Sequence, residues 1–456
     1  GSRCSAEGSP QKEHILTIVA SMCRDPLCCL SASWRRRCSL GVILCAVFVL
    51  EPIPSFMPAL SSVRSLQCPA CRHPSRIVAC AGKGQVGRIP PKVLMGKIRE
   101  AKSPREIISI IELHAGDFDE IHSVTCLYEL AKRRRMLSKE DARSPILHDL
   151  VDFIDYQTMQ MDAQSLANSA WSVAQLRPSM GEHITKVMPS IADHAIVTLG
   201  RFSPQHLSNL AWAFATLRIH HVPLFKVIAE RVVQQVEECQ AQNLSNLAWS
   251  FATLGIQSAV VMDAIAKRAV VVIGTFTPQG LVNLAWSFAT CGIRSAALMD
   301  AIAERALVVM GTFTGQGLGN LAWSFWRCGV RKPSLMRSVC ATLPKTSVGP
   351  TVGNIVFVWA IVTAAATEVE VADTALLTAS ARALLQPGRL SKATPYSISL
   401  LLRSAERDDW QTKEPRLYQA VKAEFEQRRI PRAAMDADLI VDPPRWTESF
   451  GRARGR

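Results

Sequence analysis

The sequence has few aromatic residues, with four Tyr and 6% Phe, Trp and Tyr together among 456 residues. Strands are enriched in aromatic and β-branched residues, so this composition, with proline scattered along the chain, gives little support for a fold rich in β-strands. Ala, Leu, Ile and Val instead recur with helical spacing, and 48% of the residues are apolar, which is ample for a core. The composition therefore predicts an all-α protein.

Motifs that carry catalysis or bind a cofactor are also missing. The chain has no Walker loop, no credible nucleophile constellation and, in its helical part, no cluster of Cys and His. Cys68 and Cys71, with His73 and Cys80 nearby, have half the spacing of a zinc ribbon, but no second Cys-x-x-Cys follows. We therefore predict that the protein is not an enzyme, needs no cofactor and holds no metal.

The positive charge is concentrated outside the helical part of the chain. The net charge is +14, of which residues 1–100 carry +9 and residues 151–385 only +2. Proteins that hold nucleic acid neutralise phosphates with Lys and Arg. Because residues 151–385 are nearly neutral, the total charge is not evidence that they grip phosphates, and a protein-binding role stays open.

Residues 1–90 have the composition of an organelle-targeting leader that is mostly disordered. The apolar run Ser39–Leu50 has 12 residues, whereas a helix that spans a bilayer needs about 20, so the run fits the apolar region of a signal sequence. Residues 52–99 contain no acidic residue, as in transit peptides. A signal-like run before a transit-like stretch resembles the bipartite leaders of plastid proteins. We predict import into a plastid, with the mitochondrial matrix as the alternative, and no membrane association of the mature protein.

A repeated motif containing Asn-Leu-Ala-Trp decides the fold class. Four copies align without gaps, and their Trp residues lie 37 positions apart, at Trp212, Trp249, Trp286 and Trp323. A fifth clear copy, Gln164–Trp171, lies 41 residues before Trp212. More divergent copies are Val352–Trp359, Thr394–Arg403, and Ile121–Lys132 with Tyr128 in the Trp position. Repeats of this length stack into solenoids whose terminal units are atypical. We predict an α-solenoid of about eight helical hairpins with a period of roughly 37 residues.

Each unit has the pattern of two helices. In the clearest unit, Thr277 is a good N-cap, and Gly292 ends the first helix before a second one begins near Ser295. On the first helix, one face carries Leu and Phe, and the other carries the polar and Trp positions Gln279, Asn283, Trp286 and Thr290. A single hairpin cannot bury both faces, whereas a stacked hairpin can.

The domain organisation follows from the repeats. We predict a divergent N-terminal repeat at 97–148, helical-hairpin repeats at 149–385, a degenerate C-terminal capping repeat at 386–427, and a basic tail at 428–456.

The motif Gln-x-Leu-x-Asn-Leu-Ala-Trp-Ser-Phe-Ala-Thr-x-Gly-Ile resembles the octotricopeptide and heptatricopeptide repeats of organellar RNA-binding proteins. It is also similar to the helical-repeat domain of an RNA-editing substrate-binding complex subunit and, more distantly, to FAST-kinase-like proteins. The resemblance covers about residues 97–425, and no RAP domain, which many relatives carry, can be traced after it. It implies binding of organellar RNA and a role in RNA processing, mRNA stability, editing or translation, without a cofactor.

Residues identical in every repeat cannot distinguish one base from another, so we expect the repeated Asn and Trp to be structural. They are Asn209, Trp212, Asn246, Trp249, Asn283, Trp286, Asn320 and Trp323. In the alternative, they line a groove and contact the RNA backbone or stack on bases. The RNA-binding candidates are polar positions that vary between repeats, together with a basic cluster: His206, Asn243, His220, Gln257, Arg294, Arg331, Arg133 and Arg134.

These observations favour an organellar protein that binds single-stranded RNA along its solenoid, with other ribonucleoprotein subunits as possible partners. The alternative is a protein-binding scaffold inside an organellar ribonucleoprotein complex. The family resemblance favours RNA, and the near-neutral repeat array favours the scaffold.

Overall fold

The computed structural model describes residues 89–343 and, with gaps at 379–380, 383, 389, 394 and 408, residues 378–431. These residues belong to one compact unit, Pro74–Arg456. Within the described ranges all regular elements are helices, which confirms the predicted all-α class. The α-helices with bounds in these ranges are α1 Pro91–Glu100, α2 Pro104–His114, α3 Glu120–Lys132, α4 Lys139–Ala142, α5 Pro145–Gln157, α6 Ala163–Met180, α7 Met188–Thr198, α8 Pro204–Leu217, α9 Val222–Gln235, α10 Ala241–Thr253, α11 Ala259–Val271, α12 Pro278–Cys291, α13 Ala296–Val308, α14 Gly315–Arg327, α15 Pro333–Thr342, α16 Pro395–Arg407, α17 Trp410–Lys413 and α18 Pro415–Gln427.

The hairpin of α12 and α13 shows how the sequence sets the helix ends. The Thr277 hydroxyl accepts a hydrogen bond from the Gly280 amide at 3.2 Å and so caps α12. Gly292 ends the helix in the left-handed region, with φ of 67°, a conformation that is costly for residues with a Cβ. The second helix follows Ser295 directly. The predicted starts and ends of this hairpin are therefore confirmed.

Stacked hairpins form two rows of helices. We call α3, α6, α8, α10, α12 and α14 the A helices, and α7, α9, α11, α13 and α15 the B helices. Each A helix makes its most extensive contacts with the neighbouring A helices, and successive B helices also contact each other. Alanines at one repeat position are fully buried between A helices and permit this close approach: Ala211, Ala248, Ala285 and Ala322. The predicted α-solenoid is therefore confirmed for the described residues.

The core lies between the two rows. The four A helices α8, α10, α12 and α14 each bury a Leu and a Phe at fixed repeat positions, as Leu281 and Phe288 do in α12. Full burial of one such side chain contributes about 1.5–3 kcal/mol relative to exposure. Because the same positions recur every 37 residues, the core continues from one hairpin to the next.

The two ends of the array are less regular. Before the Tyr128 copy, α1 packs on α3, although its sequence lacks the repeated motif. At the other end, α16 and α18 pack on each other. Arg403, which occupies the Trp position of α16, lies with its guanidinium 6.0 Å from the ring centre of Trp326. This cation–π contact joins α16 to α14.

Several predicted segments lie outside the described residues. They are the leader up to residue 88, the copy Val352–Trp359, and the basic tail from residue 432 onward. The five cysteines in the described ranges are free thiols, of which three are buried. None of the described helices combines the length and apolarity that crossing a membrane requires.

Candidate nucleic-acid interface

A groove with a volume of about 1420 Å³ runs along the row of A helices. It crosses this row obliquely, from the C-terminal part of α3 to the N-terminal part of α14. Aromatic rings line its first half, namely Tyr128, Trp171, Trp212 and Trp249. Carboxamides line it throughout, namely Gln175, Asn209, Gln240, Gln242, Asn246, Gln279, Asn283, Gln316 and Asn320.

Helical periodicity brings the repeated side chains to this groove. On the five A helices from α6 to α14, Gln, Asn and Trp lie at positions i, i+4 and i+7, which share one face of an α-helix. The opposite face packs on the B helices. All four repeated Asn residues that we expect to be structural therefore line the groove, two of them half-buried and two, Asn283 and Asn320, buried.

The repeated Trp residues divide into two groups. Trp249 and Trp323 are buried, with 2% and 8% of their surface exposed. Trp171 and Trp212 are half-buried and line the groove, so part of each ring is open to a ligand. Trp286 is half-buried as well, but it is not among the groove-lining residues. Indole surface in the groove is therefore concentrated on α6 and α8.

The end of the groove at α3 is positively charged. Lys132 and Arg134 line it, and the Lys132 ammonium lies 5.5 Å from the ring centre of Tyr128. The Tyr128 ring is 5.3 Å from that of Trp171. Lys132 and Arg133, at the C-terminal end of α3, both form ion pairs with the buried carboxylate of Glu129, at 3.0 Å for Lys132, and Arg133 is not among the groove-lining residues. Of the two predicted arginines in this cluster, the structure therefore places Arg134 in the groove.

Farther along, the rim is nearly balanced in charge. Arg268 lines the groove, and its guanidinium pairs with Glu237 at 3.2 Å. Its Nε donates to the carbonyl oxygen of Cys239 at 3.4 Å. Burial raises the pKa of the Cys239 thiol to about 11, although Arg268 nearby opposes this shift. Along its whole length, the groove is lined by three basic side chains, Lys132, Arg134 and Arg268, and by one acidic side chain, Glu238. Two of the three basic side chains lie at the α3 end, so the remainder of the groove has one of each sign.

Two of the RNA-binding candidates take part in helix capping. The His206 imidazole accepts a hydrogen bond from the Ser203 amide at 3.4 Å, and burial lowers its pKa. Asn243 Oδ1 accepts from the Gln240 amide at 3.0 Å, and its Nδ2 donates to Ser208 Oγ at 3.1 Å. The hydrogen bond to Ser208 joins α10 to α8. The structure therefore places both side chains at contacts within the fold, next to the preceding A helix.

The other variable candidates lie in the turns between A and B helices. His220, Gln257, Arg294 and Arg331 are all exposed there. They are close to the C-terminal ends of the A helices, whereas His206 and Asn243 lie close to the N-terminal ends. An α-helix of 14 residues, such as α12, is about 21 Å long. The structure therefore separates the two sets of candidates, and neither set is among the groove-lining residues.

Some polar atoms on the groove face have no hydrogen-bond partner among the described residues. They are Asn283 Oδ1 and the hydroxyls of Thr216, Thr253 and Thr290, which lie seven positions after the repeated Asn. A buried polar group without a partner costs about 1–3 kcal/mol. Among the described residues, no group of three or more His, Cys, Asp or Glu could hold a metal ion. The three Thr residues are not among the groove-lining residues, so these unpartnered atoms are internal to the A helices.

Sequence reasoning did not nominate the groove-lining Gln residues, Trp171 or Arg268 as binding residues. In the repeated motif, helical periodicity puts Gln279 on the same face of α12 as Asn283 and Trp286. This periodicity is the sequence feature from which the groove-lining Gln residues could be predicted.

A comparison with protein families matches the central part of this array. Residues 157–342 match the family model described as RNA-editing substrate-binding complex 6 protein. The matched range begins at the last residue of α5 and ends with α15, so it contains the five hairpins from α6 to α15. The resemblance to the helical-repeat domain of this complex is thereby confirmed for these residues. A comparison with curated proteins finds no match.

Proposed function

We propose that the protein binds single-stranded RNA along the A-helix groove and acts in RNA processing by binding rather than catalysis. The observation that carries the proposal is the line of carboxamides along the groove, together with the aromatic rings in its first half. Aromatic side chains stack on unpaired bases, and carboxamides form hydrogen bonds to base edges.

The charge distribution fits a single strand held mainly through its bases. Lys132 and Arg134 supply positive charge at one end of the groove, where the rings of Tyr128 and Trp171 also lie. Base stacking contributes about 1–3 kcal/mol per base, so a groove with few cations can still bind RNA. The near-neutral repeat array is therefore compatible with RNA binding, provided that stacking supplies much of the affinity.

The family description supports a role within a ribonucleoprotein complex that handles RNA-editing substrates. It also favours an organelle of mitochondrial type as the location. Our plastid prediction rested on the composition of residues 1–90 and receives no support from the family description. We therefore propose a mitochondrial-type organelle, with other subunits of the complex as additional partners.

A protein-binding scaffold is the second candidate. Valines at one repeat position near the ends of three B helices are strongly exposed, namely Val197, Val271 and Val308, each more than 70% accessible. Exposed apolar residues that recur along a surface favour contact with another protein. This surface lies on the B helices, so a partner there would leave the A-helix groove open.

The test is crosslinking of the protein to RNA in the organelle, followed by sequencing of the bound RNA. We expect specific transcripts to be enriched above background. The Trp212→Ala variant should lose enrichment, whereas Trp286→Ala, its matched control outside the groove lining, should keep it. Recovery of protein subunits without enriched RNA would reject RNA binding and support the scaffold.

A further inference from the structure

A line of exposed apolar side chains crosses the row of B helices. The position six residues before the N-cap of each following A helix is apolar in five of six successive units. The apolar residues are Leu113, Tyr156, Val197, Val271 and Val308, and α9 carries Gln234 at this position. All five apolar side chains are between 58% and 77% exposed. We call these six positions the B stripe.

The six positions are neighbours because their helices pack side by side. The helices α7, α9, α11 and α13 contact one another in turn, α2 packs on α5, and the turn after α5 packs on α7. Each stripe residue is the last or second-last residue of its helix. The axes of packed helices lie about 8–10 Å apart, so the stripe positions follow one another at about this interval.

The apolar character of the B stripe recurs although the residue type changes. Simple repetition of one unit accounts for Val271 and Val308, which lie 37 residues apart in similar helices. It does not account for Leu113 and Tyr156, which differ from Val and from each other. Single exposed apolar residues are ordinary on protein surfaces, whereas a contiguous set indicates an interaction surface. The B stripe therefore has the character of a docking surface.

A row of carboxylates runs beside the B stripe. It lies four residues before the stripe position, on the same helix face, and its exposed members are Asp193, Glu230 and Glu304. None of these three forms an ion pair with another described residue. In α5 and α11, the same position holds Asp152 and Lys267, which pair with Lys186 and Asp263. Three unpaired negative charges thus flank the stripe.

The arginines closest to this row are engaged within the fold. They lie one position after the carboxylate row and are half-buried, namely Arg231, Arg268 and Arg305. Arg231 donates to the carbonyl oxygen of Gly200 at 3.0 Å, and Arg268 donates to that of Cys239 at 3.4 Å. The C-terminal ends of helices, where the stripe lies, also carry a partial negative charge. A ligand that covers the stripe therefore meets apolar surface beside exposed negative charge.

We propose that the B stripe docks a helical segment of another protein, with apolar side chains on one face and Lys or Arg beside them. Two turns of an α-helix rise about 11 Å, close to the interval between stripe positions, so one helix can place an apolar side chain on each position in turn. The carboxylates would repel an anionic membrane and the same carboxylates of a second copy. This docking is independent of RNA binding, because the stripe lies on the B helices.

The test measures binding of the full chain to two labelled peptides by fluorescence anisotropy. Each peptide has about 28 residues, enough for a helix of about 42 Å, with Leu along one face. Lys flanks the Leu residues in one peptide, and Glu replaces Lys in the other. We expect the Lys peptide to bind about tenfold more tightly. Equal binding of the two, binding of neither, or preference for the Glu peptide would overturn the proposed partner.

A pair of double variants tests whether the stripe is the binding surface. The stripe variant, Val271→Gln with Val308→Gln, introduces the residue type that α9 carries at this position. The matched control is Val222→Gln with Val260→Gln, because these valines are similarly exposed but lie in the first turns of α9 and α11. We expect the stripe variant to weaken Lys-peptide binding about tenfold or more and the control to change it less than twofold. Equal effects would overturn the assignment. Thermal unfolding followed by circular dichroism verifies that both variants fold.

A charge reversal tests the role of the carboxylates. Glu230→Lys with Glu304→Lys should reverse the preference between the two peptides, and an unchanged preference would overturn this role.

The other possible occupants of the stripe are tested with the same stripe variant. Its self-association in the ultracentrifuge, its sedimentation with phosphatidylserine vesicles and its RNA affinity should all equal those of the unmodified chain. A loss of self-association, vesicle binding or RNA binding in the stripe variant would overturn the proposal in favour of a second copy, a membrane or RNA, respectively.

Discussion

The contact between Asn243 and Ser208 allows a sharp test of whether a variable repeat position stabilises the fold or binds RNA. Asn243 is 9% exposed, and its carboxamide makes one hydrogen bond within α10 and one to the preceding A helix. Asn243→Ala removes both bonds. A net contribution of about 1 kcal/mol for each bond predicts a loss of about 2 kcal/mol in the free energy of unfolding.

Urea unfolding followed by circular dichroism measures this loss. Gln257→Ala is the matched control, because Gln257 is an exposed residue of a turn and exposed substitutions usually change stability by less than about 0.5 kcal/mol. We also expect Asn243→Ala to retain RNA affinity within twofold, since Asn243 is not among the groove-lining residues. A stability equal to that of Gln257→Ala, combined with a marked loss of RNA affinity, would refute this reasoning.

Three further predictions concern the backbone, the charged end of the groove and a buried thiol. Gly292 and Arg218 occupy equivalent positions in the left-handed region, with φ of 67° and 55°, where a Cβ is unfavourable. Gly292→Ala should therefore destabilise the protein by about 1 kcal/mol or more, and Arg218→Gly should stabilise it by up to about 1 kcal/mol. Thermal melting tests both variants, and changes of the opposite sign would contradict this argument. Replacing Lys132 and Arg134 with Gln should reduce the slope of log Kd against log salt by about 1.4; an unchanged slope would exclude contacts of these two residues with phosphate. Because the pKa of Cys239 is about 11, its alkylation in the folded protein should be slow at pH 8 and accelerate about tenfold per pH unit towards pH 11; rapid reaction at pH 8, with the fold intact, would contradict burial of this thiol.

The fold could be predicted because the same local signals occur in each repeat. The Thr277 cap, the left-handed Gly292 and the alternation of two helix faces are properties of short segments, and the structure confirms them. The hairpin of α1 and α2 was not separately predicted. At the end of the array its residues do not pack between two equivalent hairpins, so they need not keep the repeated motif.

The candidate site was harder to predict than the fold. Helical periodicity identifies the face that carries Gln279, Asn283 and Trp286, but it does not reveal which part of that face remains open after the helices stack. The buried Trp249 and the half-buried Trp212 occupy the same position of the motif. Their difference arises from packing against neighbouring repeats, which no single repeat specifies. The capping role of Asn243 likewise depends on Ser208 in another hairpin.

The central claim is that RNA lies in the groove along the A helices. Ultraviolet crosslinking of the protein to bound RNA, with mass spectrometry to locate the modified residues, tests it most directly. The account predicts crosslinks at the groove-lining rings of Tyr128, Trp171 and Trp212. Crosslinks confined to the turns that contain His220 and Arg294 would contradict it.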